Sequence, residues 1–206
     1  MQETESLSSV PLFPLQAVLF PGGLLSLKVF EARYLDLVSA SLREGKPFGV
    51  VALRQGSELR KTGETVAMES IGTLAELIDV DSAQHGILQV RCRGTRRFEV
   101  QAREQQADGL WQARARLLPD DDATLPADGL VETVRGLANA IATLKQQGSE
   151  PFLKPFKFDN SGWVANRWCE ILPISIAAKQ KLMELPDPQV RLQLVDEFLR
   201  TKGVVK

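Results

Sequence analysis

Histidine and cysteine are nearly absent from this chain, which carries one of the first and two of the second in 206 residues. With His85 alone, and Gly86 beside it in what reads as a hairpin turn, a Ser-His-Asp or Cys-His mechanism has no other imidazole to serve as base. An exposed turn histidine is the expectation. Cys92 and Cys169 are too few for a disulfide scaffold and lack the paired spacing of a zinc site, so both read as reduced core thiols. No phosphate-cradling G-x-x-x-x-G-K loop and no G-x-G-x-x-G occurs. Asp120, Asp121 and Asp122 stand in a row without the ligand-Gly-ligand rhythm of a calcium loop, and they read as a solvated linker. The sequence thus predicts no catalytic residue, no cofactor and no metal. Long apolar runs are also missing: no window approaches the roughly 18 residues of a membrane span. The N-terminus carries Glu3 and Glu5, has no basic segment, and meets prolines before any hydrophobic run can extend. No signal peptide and no membrane partner are expected, and a cytoplasmic location is. Nor is there an excess of charge, with 25 basic against 26 acidic residues, so overall charge gives no footprint of a dedicated nucleic-acid binder. Internal repeats and low-complexity tracts are lacking too.

What is present is a hydrophobic fraction of 44%, enough to bury a substantial core in one large domain or two small ones, and a punctuated stretch from Val10 to Tyr34. Pro11, Pro14 and Pro21 each remove a backbone donor, which predicts a short strand near an edge or bulge. Pro21-Gly22-Gly23 predicts a turn with positive φ at one of the two glycines. Leu25, Leu27 and Val29 then alternate with Ser26 and Lys28, the period of a half-buried strand. From Phe30 the period becomes helical through Tyr34, Leu37, Val38, Ser41 and Leu42, with Glu31 in the first turn.

These residues carry a family resemblance. Pro11-Leu12-Phe13-Pro14-Leu15, Leu19-Phe20-Pro21-Gly22, Leu27 and Phe30-Glu31-Ala32-Arg33-Tyr34 together resemble the amino-terminal domain of Lon ATP-dependent proteases, which also occurs alone as a small bacterial protein. The resemblance continues at Ile71-Gly72-Thr73-Leu74-Ala75-Glu76 and Gly94-Thr95-Arg96-Arg97-Phe98, and loosens between Pro119 and Trp168. It implies a PUA-like pseudobarrel that recognises unfolded or degron-bearing polypeptide. In full-length Lon proteins ATP hydrolysis and peptide cleavage belong to domains that follow this one. This sequence stops before them, so the resemblance implies a binding module, acting as adaptor, holdase or regulator, and not an enzyme.

The remaining pattern predicts an α+β fold, with a β-rich half over 8–118 and a helical bundle over 119–206 packed on it or linked to it. Phe48 to Leu53 reads as a buried strand and Arg54 to Gly63 as a loop. Glu64 to Val80 reads as one or two strands broken near Gly72, and Ile87 to Arg93 as another. Arg97 to Glu104 and Trp111 to Leu118 read as an antiparallel pair across Ala107-Asp108-Gly109. Beyond Pro119, helices are expected over Leu130 to Leu144 with Asp128 as N-cap and Gly148 as C′ residue, over Trp163 to Ile171, from Ile176 behind Ser175, and after Asp187-Pro188. In the last of these Val190, Leu194, Val195, Phe198 and Leu199 share a face. Trp163 and Trp168 cannot share one narrow stripe, which leaves one of them free to meet a partner.

Two surfaces follow as candidates. Phe13 with its neighbour Leu12, Phe20, Phe30 and Tyr34 can line a groove for extended peptides or fill the core. Arg91 with Arg93, Arg114 with Arg116, and Arg96, Arg97 and Arg103 between them can form a basic stripe for RNA, the second functional reading; a polar sheet face with nearby glutamates is the plainer account. Glu31 and Arg33 are expected to cap the helix or pair with each other.

Overall fold

In the computed structural model the described residues are 5–59, 63 and 65–205. Glu3 of the N-terminal reading, part of the expected loop (60–62) and Glu64 lie outside them. Two compact units are present, Met1–Pro119 and Asp120–Lys206.

The first unit contains β1 (Ser6–Leu15), β2 (Leu24–Val29), α1 (Ala32–Glu44), β3 (Phe48–Gln55), β4 (Ala67–Met68), β5 (Ile71–Gln84), β6 (Ile87–Gln105) and β7 (Trp111–Leu117). β1 runs parallel to β3 and antiparallel to β7, and the antiparallel pairs β3–β5, β5–β6 and β6–β7 complete a ring of five strands. β2 pairs with β6 and β4 with β3 outside that ring. The α+β class with a β-rich pseudobarrel ahead of C-terminal helices therefore holds.

Period-2 alternation between two cores explains the apolar runs of β1 from Val10 and of β3 up to Leu53. Phe13, Leu15, Phe48 and Val50 enter one hydrophobic cluster, which α1 joins through Tyr34, Leu37 and Val38. Val10, Leu12, Val51 and Leu53 enter a second cluster with Met68, Phe98 and Ala115. Both strands lie between two cores, so both faces of each contribute apolar burial, worth about 1.5–3 kcal/mol per large side chain. The prolines do not make β1 a short edge strand: it is 10 residues long. It changes neighbour at Leu12, pairing with β7 up to that residue and with β3 from it onward. Pro11 and Pro14 flank this switch, each with a partner strand on one side only, where a missing N–H can be tolerated. The expected bulge is present, between Leu7 and Val10.

Gly22 has φ of 74°, so the turn takes its positive φ at the first glycine of the pair. The turn is clamped to β6: Gly22 N donates to Gly94 O at 2.8 Å and Gly94 N to Gly23 O at 2.9 Å. A Cβ on Gly94 would fall against the Phe20 carbonyl oxygen and within 3.0 Å of Leu19. Two expected breaks move. The interruption after Glu64 falls at Glu69-Ser70, between β4 and β5, and Gly72 lies inside β5. The strands expected over Ile87 to Arg93 and Arg97 to Glu104 are one 19-residue strand, β6, whose register with β5 shifts opposite Thr73–Ala75. Such an irregularity bends a strand without ending it.

In the second unit a 3-10 turn (Asp128–Leu130) leads into α2 (Val131–Gln146), followed by α3 (Ser161–Ile171), α4 (Ile176–Glu184) and α5 (Pro188–Thr201). Asn160, Ser175 and Asp187 cap α3, α4 and α5 by accepting backbone N–H bonds. Asp128 does not cap α2, because it lies inside the 3-10 turn; Gly148 has φ of 78°, as expected of a residue just past a helix end.

Three sequence expectations fail here for one reason, that α3 is buried on every side from Ser161 to Cys169. Trp163 and Trp168 are therefore both buried: Trp163 packs against Phe156 and Phe158, and Trp168 Nε1 donates to Thr133 O at 3.0 Å. Asp121 is not solvated, since its carboxylate grips Arg191 at 2.6 and 3.0 Å and Arg191 also donates to Asn166 Oδ1 of α3 at 2.9 Å. Because Arg191 turns inward, the buried stripe of α5 is Pro188, Arg191, Leu192, Val195, Asp196 and Leu199, while Val190 and Leu194 are exposed.

Candidate functional site

Three of the four aromatic residues singled out from the sequence meet at one groove of about 340 Å³ in the first unit. Its walls come from the end of β1 (Phe13, Leu15), all of β2 after Leu24, the start of α1 (Phe30, Glu31, Tyr34) and the loop after β3 (Glu58, Leu59). Phe13 and Tyr34 form the floor, stacked with ring centroids 3.9 Å apart and planes 8° from parallel. Both are buried, Phe13 in further contact with Phe48. Phe30 precedes α1 instead of starting it and is 50% exposed; Leu59, in the polar loop after β3, is 49% exposed. Phe20 takes no part. It is 0% exposed and lies beneath the Gly22 turn, so it offers no surface to a ligand.

The Glu31-Ala32-Arg33-Tyr34 segment organises this wall. Glu31 occupies the N-cap position but makes no side-chain cap bond; its carboxylate pairs with Arg33 at 3.1 Å. Arg33 in turn donates to Gly109 O at 2.8 Å and lies 4.5 Å from the Tyr34 ring centre, which ties the start of α1 to the β6–β7 turn. Burial pushes the Tyr34 hydroxyl up to about 12, against the pull of Arg33, so it stays neutral. Glu58 accepts from Gln16 N at 2.6 Å, holding the post-β3 loop beside the groove.

A larger cavity of about 400 Å³ touches α1 at Asp36, Leu37, Ala40 and Ser41, together with Pro11, Phe48 and Leu110. The β1 and β7 segments that border it are bonded to each other, so it offers no open strand edge. The groove beside β2 does.

The arginines do not converge as one stripe, although Arg103 and Arg114 line one cavity of about 250 Å³ beside Glu104. Arg97 is buried, with Nη2 donating to Pro119 O at 3.1 Å. Arg96 pairs with Glu5 at 2.8 Å and Arg116 with Glu99 at 2.5 Å. Arg103 lies 5.5 Å from the Trp111 ring centre. Arg91 and Arg93 are exposed on β6 but stand opposite Asp79 and Glu76 of β5, and Arg114 pairs with Ala102, nine residues further along β6 than Arg93. That is about 30 Å of strand, along which Glu76, Asp79, Glu99 and Glu104 stand among the guanidiniums.

His85 is exposed in the turn joining Gln84 to Ile87. Cys92 and Cys169 are free and buried, each thiol pushed up to about 12 by burial; both are therefore inert as nucleophiles. Among the described residues no cluster of His, Cys, Asp or Glu is arranged to hold a metal ion, and no helix is long and apolar enough to cross a membrane.

Comparison with known proteins agrees with this architecture. Residues 9–201 match the family described as the ATP-dependent protease La (LON) substrate-binding domain. The chain is 29% identical over 203 residues to a Lon protease of Paraburkholderia phytofirmans, covering 94% of this chain and 25% of that protein. It therefore spans about a quarter of the length of the curated Lon proteases that it matches. A Lon N-terminal domain protein from Xanthomonas campestris superposes with a TM-score of 0.72 at 30% identity, covering 92% of this chain and 97% of that one. The N-terminal domain of a Mycobacterium avium complex Lon protease shares the fold, with a TM-score of 0.61 at 16% identity and the same coverage.

Proposed function

Since the chain belongs to the family of ATP-dependent protease La (Lon) substrate-binding domains, we propose that it is a non-catalytic module that holds unfolded or degron-bearing polypeptide in the groove beside β2. The observation that carries this reading is the groove itself: an apolar floor of Phe13 and Tyr34 with exposed Phe30 and Leu59 at its rim. Two large apolar side chains left in water beside a preformed concavity suit a ligand that supplies apolar side chains of its own. Polypeptide is favoured over RNA because the groove lining carries Lys28 against Glu31 and Glu58, a poor match for phosphates, and because the arginines of the sheet are dispersed among carboxylates.

The test is binding of a permanently unfolded polypeptide to the intact chain and to Leu59→Asp, whose side chain lies at the rim. Affinity should fall at least tenfold in the variant with melting temperature unchanged, and binding by the parent chain should persist in high salt. Equal binding by both proteins, or binding that collapses with salt, would reject the groove. The purified chain should also turn over neither ATP nor casein.

A further inference from the structure

β2 bonds to β6 along one edge, and among the described residues its other edge pairs with no strand. The groove is lined by every residue from Leu25 to Glu31. Side chains alternate across a strand, so an unbroken run of lining residues means that the backbone edge itself borders the groove. The main-chain groups on that edge can be identified. Gly94 exchanges bonds with the Gly22-Gly23 turn, and the register continues as Leu24 opposite Arg93, Leu25 opposite Cys92 and on to Val29 opposite Leu88. Antiparallel pairs alternate between bonded and non-bonded. Leu25, Leu27 and Val29 therefore direct N–H and C=O toward β6, and Leu24, Ser26 and Lys28 direct theirs to the free edge, where Ser26 and Lys28 border the groove.

Resting on the polypeptide-binding reading above, we propose that the ligand binds as an added β-strand along this free edge, bonded to the main chain of Ser26 and Lys28. The occupant is an extended, uncharged stretch of polypeptide with apolar residues at every second position. Charge complementarity selects it. Glu31 is offset by Arg33 at 3.1 Å, and Lys28 and Glu58 offset each other in formal charge, so the groove is close to neutral and matches amides and hydrocarbon. Alternate apolar side chains of the added strand would point to the Phe13–Tyr34 floor between Phe30 and Leu59. The main-chain bonds are indifferent to sequence, and the floor asks only for an apolar side chain of moderate size.

The experiment uses the whole chain and a short fluorescein-labelled peptide that alternates leucine and serine. Ser26→Pro removes the N–H that faces the groove and leaves the β2–β6 ladder intact, as proline on an edge strand can. Affinity should fall about tenfold, the size expected for losing one or two main-chain hydrogen bonds, with little change in melting temperature. A peptide N-methylated at alternate amides provides a second arm that leaves the protein untouched: methylation in one register should abolish binding and in the other spare it. Loss of binding in Leu59→Asp with no effect of Ser26→Pro, and equal effects of both methylation registers, would overturn strand addition while keeping the groove. Binding that ignores Leu59→Asp as well would reject the groove reading itself.

Discussion

The two units hold their interiors together by different means. In the β-rich unit the interior is two apolar clusters on either side of β1 and β3, and main-chain pairing organises everything around them. In the helical unit charge goes deeper inside than Arg33 and Arg97 do in the first unit. Arg167 and Arg191 are among its most deeply buried side chains, held by Glu170 at 2.6 Å and Asp121 at 2.6 Å, and Asp196 links Thr133 to Arg200. A closed ring of strands can carry one added strand, β2, whose outer edge is unpaired among the described residues, and stay cohesive. Short helices, each marginal alone, need directional contacts to fix how they pack. Open surface for binding is thus compatible with the first arrangement, while the second gives specificity of packing, at a desolvation cost that only complete pairing offsets.

The sharpest way to break this contrast is Asp121→Ala. It leaves the Arg191 guanidinium buried with its carboxylate gone, and the expected loss is about 3–5 kcal/mol, read by urea unfolding of the whole chain. A loss under about 1 kcal/mol would mean that the remaining acceptors, Asn166 Oδ1 and the Leu182 and Leu185 carbonyls, suffice, and that buried charge is not what fixes the helices.

On the β side, among the glycines that form the β2 turn and its clamp, the largest effect should come from Gly94→Ala. The new methyl meets the Phe20 carbonyl, which is backbone and cannot swing away, so about 1–3 kcal/mol is expected from overpacking. Gly22→Ala should cost about 1 kcal/mol, because φ is 74° there. Gly23→Ala should cost less, since Gly23 is not among the positive-φ glycines. Equal losses at Gly22 and Gly23 in thermal melts would show that strain at φ is not the cause.

A pH dependence confined to the helical unit should also be present. Burial pushes Glu170 up to about 7 against the attraction of Arg167. The folded state therefore binds a proton that the unfolded state releases nearer 4.5. The contribution of Glu170 to stability should decline as pH rises from about 4.5 to 7 and level off above it. Subtracting the stability profile of Glu170→Gln from that of the parent chain isolates this slope. A difference that rises with pH would show that pairing with Arg167 outweighs desolvation.

How much of the site was legible differs between the same two regions. That Phe13, Phe30 and Tyr34 line one candidate groove is legible because they fall where a strand, a turn and a helix start succeed one another within the span from Val10 to Tyr34, and local order in the chain becomes local order in space. Leu59 was missed: its flanking residues are polar, and nothing in them says that the loop returns beside β2. Phe20 was indistinguishable from its neighbours by composition, and only the clamp of the Gly22 turn onto Gly94 puts it inside. The arginine stripe dissolved for a related reason, since spacing along β6 and β7 gives facing but not the carboxylates that neighbouring strands place among the guanidiniums.

The sequence by itself determined the division into a β-rich and a helical part, the helix caps at Ser175 and Asp187, the positive-φ turn at Pro21-Gly22-Gly23 and the family of the chain. All of these depend on residues within a few positions of one another, where backbone sterics and periodicity act directly. Only the tertiary structure decided which side of α5 faces inward, whether Asp121 is solvent-exposed or an anchor, and which edge of β2 stays open. Those outcomes depend on partners far away in the chain, such as Arg191 for Asp121 and Gly94 for the β2 turn, and burial, desolvation and pairing between such partners have no local signature.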